Sequence, residues 1–367
     1  MANIIIIGAG VMSCSFTLPC NENNHETLII GSKYDDKIID TVNANNNFHP
    51  SLKVNLSKKN KFIKYEDLSK EKFKSIDLVV IGTNSKGLEW SSDVVETICS
   101  KKNIPPILLL TKGIHVYKNK FEVFIEKITR ILNNKNFTNI NISAIAGPCL
   151  ANELAAKIHS SVVITNRNIK NANVIKNLLE TDYYHISLSE DINGIEVCAA
   201  IKNIYSIAIG SSKNNKNTSA ALFNQSIHEM ELFVSFLNGN KETVKGLAGV
   251  GDLYVSANGG RNSLLGSYLG EDLVYSDVKN NQMKNITVEG AELAFEIYES
   301  VNNFFNIKQL PLMFAVIEAI VKNKKIEIKW EFFNWLNNKL IIVVNNKLVL
   351  NIQKQLLHLT KKKFSKT

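Results

Sequence analysis

Arginine is almost missing: of 43 basic residues only Arg130, Arg167 and Arg261 are arginines, and the rest are lysines. Proteins that read nucleic acid rely on the bidentate fork of arginine. Here the lysines are spread along the chain among Asn and Ile, so the net charge of +9 predicts no nucleic-acid partner. Cysteine is scarce and unpaired in pattern. Cys14, Cys20, Cys99, Cys149 and Cys198 are odd in number, far apart and without a C-x-x-C pair, which excludes a disulfide framework and a zinc site. No apolar run approaches the ~18 residues that a bilayer span needs. The start, Met1-Ala2-Asn3 running into Ile4–Ile7, carries neither a basic region nor a small-residue cleavage site. These absences predict a chain without a transmembrane segment, kept in the reducing cytosol.

What is present suits a globular protein. With 45% hydrophobic and 21% charged residues, disorder throughout is excluded, and 367 residues suit two domains. The first half alternates β-branched apolar runs with helical stretches, the pattern of a parallel sheet covered by helices. Strands are expected at 3–7, 27–30, 62–64, 78–82, 107–110, 143–146, 162–165 and 184–188. From about Asp191 the strand-like runs stop, and 195–210 and 220–237 carry apolar residues at helical spacing. The predicted class is therefore α/β plus all-α: a Rossmann-like doubly wound sheet at 1–190, a helical substrate-binding domain at 191–332, and a basic Asn/Lys-rich tail at 333–367. A polar loop is expected at 211–218, and a functional loop across the glycine-dense 246–266.

The sharpest motif is Ile4-Ile5-Ile6-Ile7-Gly8-Ala9-Gly10-Val11-Met12-Ser13, a strand followed by G-x-G-x-x-S where a helix should start. Gly8 permits the tight turn, and Gly10 lets a pyrophosphate approach the N–H groups at the helix start. Ser13 replaces the third, packing glycine and brings a hydroxyl able to cap. Gly8, Gly10, Val11 and Met12 are thus candidate nucleotide contacts. Ser32 and Lys33, after the second strand, favour a 2′-phosphate and so NADPH over NADH, while Asp35 and Asp36 keep the choice open.

Thr83-Asn84-Ser85, Thr111-Lys112-Gly113 and Gly147-Pro148-Cys149 fall at strand ends, where ligands of open α/β sheets sit. Lys112 can reach an anionic ligand. On the first long helix Ile195, Cys198, Ala199, Lys202 and Ser206 share a face, and a lysine there would lose basicity by desolvation, as an amine that exchanges a proton near neutrality requires. Asn203 could donate to a substrate oxygen. Further on, Asp252 is placed to orient Lys202 or accept from a hydroxyl, and Gly259-Gly260-Arg261-Asn262 offers backbone N–H groups, a guanidinium fork and an amide to a phosphate.

In this order the segments resemble the bacterial-type NAD(P)-dependent glycerol-3-phosphate dehydrogenase family. The matching pieces are Gly8-Ala9-Gly10, Thr111-Lys112-Gly113, Gly147-Pro148, Ile201-Lys202-Asn203, Leu247 through Leu253, Gly260-Arg261-Asn262 and Val288-Glu289-Gly290. The resemblance implies hydride transfer between the nicotinamide and dihydroxyacetone phosphate, giving sn-glycerol 3-phosphate for phospholipid synthesis, in a homodimer. It implies that Lys202 is the general acid/base, that Lys112 touches both ligands, and that Gly147, Cys149, Asp252, Ser256, Gly260, Arg261 and Asn262 line the substrate pocket. It adds Ala151, Arg261 and Glu289 as cofactor contacts, and no metal. Departures from the family pattern are Ser13 for glycine, Met12 for an aromatic, Cys149 for serine, Ser256 for threonine, and Asn224-Gln225-Ser226 for Thr-Arg-Gly. Two other readings stand beside it: a β-hydroxyacid dehydrogenase of the same superfamily, whose substrates carry no phosphate, and a dinucleotide-binding protein without turnover.

Overall fold

The computed structural model describes residues 1–73 and 75–333. Eight strands form one sheet: β1 (Asn3–Ile7), β2 (Glu26–Gly31), β3 (Asn60–Lys64), β4 (Leu78–Ile81), β5 (Ile107–Leu109), β6 (Ile142–Ala146), β7 (Ser160–Thr165) and β8 (Tyr184–Ser189). Their spatial order is β8-β7-β6-β5-β4-β1-β2-β3. The run β3-β2-β1-β4-β5-β6 is the order of doubly wound dinucleotide-binding sheets, which places the topological switch point between β1 and β4. β1 pairs in parallel with both neighbours, Ile5 facing Leu28 on one side and Val79 on the other.

The apolar strands lie between two helical layers. Ile4, Ile6, Leu78 and Val80 join Phe16, Cys20, Ile175 and Leu179 in one cluster, and Ile5, Ile7, Val79 and Ile81, on the other side of the pleat, are equally buried. The helices concerned are α1 (Val11–Glu22), α2 (Asp36–Ala44), α3 (Leu88–Ile98), α4 (Phe124–Asn134), α5 (Ala151–Ala155) and α6 (Ile169–Leu179). One departure from the expected parallel sheet is β7, which runs antiparallel to β6 with Ile164 opposite Ile145. The connection between them contains only α5, a helix of 5 residues. At 1.5 Å per residue it is too short to return the chain along the sheet.

After β8 the chain is helical: α7 (Ile192–Gly210), α8 (Lys216–Phe236), α9 (Asp252–Ala257), α10 (Arg261–Gly270), α11 (Tyr275–Asn280), α12 (Glu289–Phe304) and α13 (Pro311–Val321). α7 is the hub, packed by α8, α9, α10, α12 and α13. It is long and apolar enough to cross a membrane by length and composition, yet 89% of it is buried inside the protein. The expected face of Ile195, Cys198, Ala199, Lys202 and Ser206 is buried, and so is nearly all the rest of the helix.

The glycine-dense segment is also not the loop that was expected. It holds a π-helical turn over Leu247–Gly251, then α9 and α10. Two of its glycines permit close backbone approach: a Cβ on Gly266 would stand 2.1 Å from the Ile207 carbonyl oxygen, and one on Gly249 would stand 2.0 Å from that of Val244. The polar loop likewise ends early, because α8 begins at Lys216. The tail from 334 onward lies outside the described residues.

Candidate active site

Gly8 takes φ +99° and donates its N–H to the Ile30 carbonyl at 2.7 Å, closing the turn that starts α1. The α1 N-terminus has no side-chain cap and no acidic residue in its first turn. A Cβ on Gly10, the residue that enters the helix, would meet nothing within 4 Å. Free helix N–H groups facing open space suit a pyrophosphate, so the chain's own residues fit a dinucleotide. Met12 packs partly buried on the adjoining core, and Val11 is 40% exposed.

Ser13 does not cap. It is fully buried and donates to the Gly82 carbonyl at 3.1 Å, and its Oγ lies 2.1 Å from where a Gly82 Cβ would stand. The close contact that the third glycine normally provides is therefore made with the glycine on the opposite partner. Ser15 of α1 donates to the Ala151 carbonyl at 2.7 Å and ties α5 to the nucleotide helix. Ser32 gives its hydroxyl to Asp35 at 2.8 Å, and the Lys33 ammonium lies 5.2 Å from the Tyr34 ring centre. Of the strand-end group, Asn84 caps a turn by accepting from Gly87 N, and the charged link falls one residue beyond Ser85, with Lys86 paired to Glu292 of α12 at 2.6 Å. Strand-end position was the available signal for Lys86, and Glu292, one helical turn past Glu289, carried none.

The helical part brings the other candidates together around Asp252, the first residue of α9 and 3% exposed. The preceding π-turn, closed by Gly251 N–H on the Gly246 carbonyl at 3.2 Å, delivers its carboxylate between two lysines. Lys202 of α7 donates to Oδ1 at 2.5 Å and to Ser256 Oγ at 2.7 Å. Lys112, from the loop after β5, donates to Oδ2 at 2.7 Å and to the Gly147 carbonyl at 3.1 Å. Gly147 holds φ +119°, aiming that carbonyl at the lysine.

Burial is the first cause that lowers the Lys202 pKa, and the Lys112 cation adds to it against the opposing pull of Asp252. For Asp252, burial raises the pKa, but Lys112 and Lys202 outweigh it and hold the carboxyl below its ordinary range. The Cys149 thiol, pushed up to about 11 by burial, lies within electrostatic reach of Lys112 and Asp252.

Gly260, at φ +93°, starts α10 without a side-chain cap, and a Cβ on it or on Gly259 would meet nothing within 4 Å. Asn262 donates to Asn203 Oδ1 at 2.9 Å and accepts from Gly290 N at 2.9 Å, stitching α10 to α7 and α12. Arg261 pairs with Glu289, and the Glu289 charge reaches Lys202. The guanidinium and the amine thus belong to one neighbourhood. Among the described residues no cluster of three His, Cys, Asp or Glu could hold a metal ion.

The sequence models described as the NAD-dependent glycerol-3-phosphate dehydrogenase N-terminus and C-terminus match residues 3–172 and 191–331. The chain belongs to the NAD-dependent glycerol-3-phosphate dehydrogenase family. Lys112 and Gly147 fall within the first match, and Lys202, Asp252, Arg261 and Glu289 within the second. Among relatives, the chain is 29% identical to the NADP(+)-dependent glycerol-3-phosphate dehydrogenase of Archaeoglobus fulgidus, over 82% of this chain and 90% of that one. It is 28% identical to a glycerol-3-phosphate dehydrogenase [NAD(P)+] of Clostridium botulinum, over 82% and 87%. In fold it is similar to the glycerol-3-phosphate dehydrogenase of Plasmodium falciparum, with a TM-score of 0.77 at 21% identity, covering 92% of this chain and 96% of that one.

Proposed function

We propose that this chain reduces dihydroxyacetone phosphate to sn-glycerol 3-phosphate with NADH or NADPH, and runs the reaction in reverse, as a cytosolic homodimer serving phospholipid synthesis. The observation that carries the reading is the Lys202–Asp252–Lys112 cluster, buried at Lys202 and Asp252, in a chain that also holds one uncapped helix start suited to a pyrophosphate and a second suited to a substrate phosphate. Residues 1–190 hold the nucleotide and 191–332 shape the substrate pocket.

The bound cofactor supplies a hydride to C2 of the ketone. Lys202 gives a proton to the C2 oxygen as that hydride arrives, so hydride and proton together reduce C=O to CH–OH. In the reverse direction Lys202 takes the hydroxyl proton. Burial makes its ammonium a better acid, and Asp252 and Ser256 fix its direction. Lys112 sets a second positive charge beside the developing oxyanion, with the Gly147 carbonyl and Asp252 holding it in place. The substrate phosphate lies against the start of α10, where Gly260 leaves room, Arg261 supplies a fork still rich in donors after its contact with Glu289, and Asn262 keeps the helix against Asn203. Cys149 borders the pocket next to Gly147.

The direct test is absorbance at the nicotinamide band with dihydroxyacetone phosphate and each reduced cofactor. Consumption that requires the phosphorylated ketone supports the proposal. Reduction of a non-phosphorylated hydroxyacid precursor, undisturbed by Arg261→Ala, would transfer the chain to the β-hydroxyacid reading.

A further inference from the structure

Asp191, the residue before α7, does two jobs with one carboxylate. Its Oδ1 accepts from Gly194 N–H at 2.9 Å and so caps α7. Its Oδ2 serves another segment, accepting from Asn240 N–H at 3.0 Å and from the Thr243 hydroxyl at 2.6 Å. Those partners lie 49 and 52 positions later in the chain, between α8 and the π-turn that delivers Asp252. Asn193, in the first turn of α7, adds a bond from Nδ2 to the Leu237 carbonyl at 2.8 Å, just past the end of α8.

Two glycines let the segment come down on the start of α7. A Cβ on Gly239 would stand 2.7 Å from Gly194 N, and one on Gly194 would stand 1.8 Å from Asp191 Oδ2. From Thr243 the path to the site is short. Thr243 and the fully buried Val244 belong to a 3-10 turn over Lys241–Lys245. The Val244 carbonyl oxygen is the atom that a Cβ on Gly249, in the middle of the π-turn, would meet at 2.0 Å, so the two turns lock backbone against backbone. Asp252 follows directly on the π-turn, with its carboxylate between Lys202 and Lys112.

We propose that Asp191 is a positioning residue for the reaction: by tying Asn240 and Thr243 to the start of α7 it fixes the π-turn, and through it the place of the Asp252 carboxylate between the two amines. Asp191 bonds to neither amine, and Lys202 lies roughly 16 Å further along α7 at ~1.5 Å per residue. This role rests on Lys202 being the proton donor, as proposed above. The charges that meet on Lys202 are Asp252 of α9 and Glu289 of α12, which favour its charged form, and Lys112 from the loop after β5, which opposes it. A slack π-turn weakens the Asp252 share, so the ammonium loses its proton more easily.

The test is the pH–rate profile for reduction of dihydroxyacetone phosphate by the full chain, as wild type, Thr243→Val, Thr243→Ser and Asp252→Asn. Thr243→Val removes one bond to Asp191 Oδ2 and leaves the α7 cap in place. Its kcat should fall ~10-fold with KM for the ketone nearly unchanged, and its alkaline fall should move to lower pH. Thr243→Ser, which keeps the hydroxyl, should restore both. Added to Asp252→Asn, Thr243→Val should bring no further shift, because the charge it positions is already gone. Should Thr243→Val not fold, Asp191→Asn, whose amide oxygen still caps α7, is read in the same way. A Thr243→Val profile that coincides with wild type, a lower kcat with the alkaline fall unmoved, or an equal further shift in the double variant overturns the inference while leaving the Lys202 reading standing. A wild type without turnover, or without an alkaline fall, overturns that reading and the inference with it.

Discussion

Lys202 holds its amine where almost no water reaches it, so burial lowers its pKa, while the Asp252 carboxylate beside it favours the charged form. Replacing Lys202 by Ala should lower kcat by the ~10²–10⁴ typical of a lost general acid/base, with affinity for reduced cofactor nearly unchanged in a fluorescence titration. Because reduction needs the charged amine, its rate should fall on the alkaline side at a pH below the ordinary lysine range. Asp252 raises that pKa, so Asp252→Asn should move the alkaline fall to lower pH, as a pH–rate profile of the two proteins would read. Arg261→Ala should act otherwise. It removes a phosphate contact made before and during the transition state, so the loss should appear mainly as a raised KM for dihydroxyacetone phosphate, by ~10-fold or more.

At the scale of elements, two helices begin on buried acids. Glu229 of α8 accepts from Leu312 N–H at 2.8 Å and Met313 N–H at 3.0 Å at the start of α13, and Glu196 of α7 accepts from Ile125 N–H at 3.1 Å at the start of α4. Burial pushes Glu229 from 4.5 up to about 7 and Glu196 up to about 8. A carboxyl whose pKa rises on folding contributes stability below its unfolded value and loses it as pH climbs through the folded one. For Glu229, with 4.5 unfolded and about 7 folded, that loss is on the order of 3 kcal/mol. Urea unfolding at pH 4.5 and pH 8 should show the wild type losing about that much relative to Glu229→Gln, which stays neutral; parallel pH dependences would refute it. These caps could not be read from the sequence, because an acid inside an apolar helix declares no partner.

The strands of the sheet were legible, because runs such as Ile4–Ile7 and Leu78–Ile81 are apolar without alternation. The reversal of β7 was not, since it depends on α5 being too short for a crossover. The hairpin Ile114–Tyr117 with Lys120–Val123 also escaped notice. Its turn places Lys118 and Asn119 at φ +50° and +59°, without the Asn-Gly or Asp-Gly pair that signals such turns. In the site, Lys202, Lys112 and Asp252 were readable as types at telling positions. That a single carboxylate joins both amines depends on the π-turn before α9, which local sequence does not specify.

For the molecule as a whole, every residue proposed for chemistry lies between Gly8 and Glu289, and the C-terminal family match ends at 331. A chain ending at Phe332 should therefore keep its kcat close to that of the full protein, measured side by side. That a nucleotide-bearing sheet and a helical hub meet on one small phosphorylated ketone is tested most directly by the rate of reduced-nicotinamide consumption with dihydroxyacetone phosphate against dihydroxyacetone, in the wild type and in Lys202→Ala. The wild type should consume it rapidly with the phosphorylated ketone alone, and the variant should lose that rate. Equal rates with both ketones, or undiminished consumption by Lys202→Ala, would contradict it.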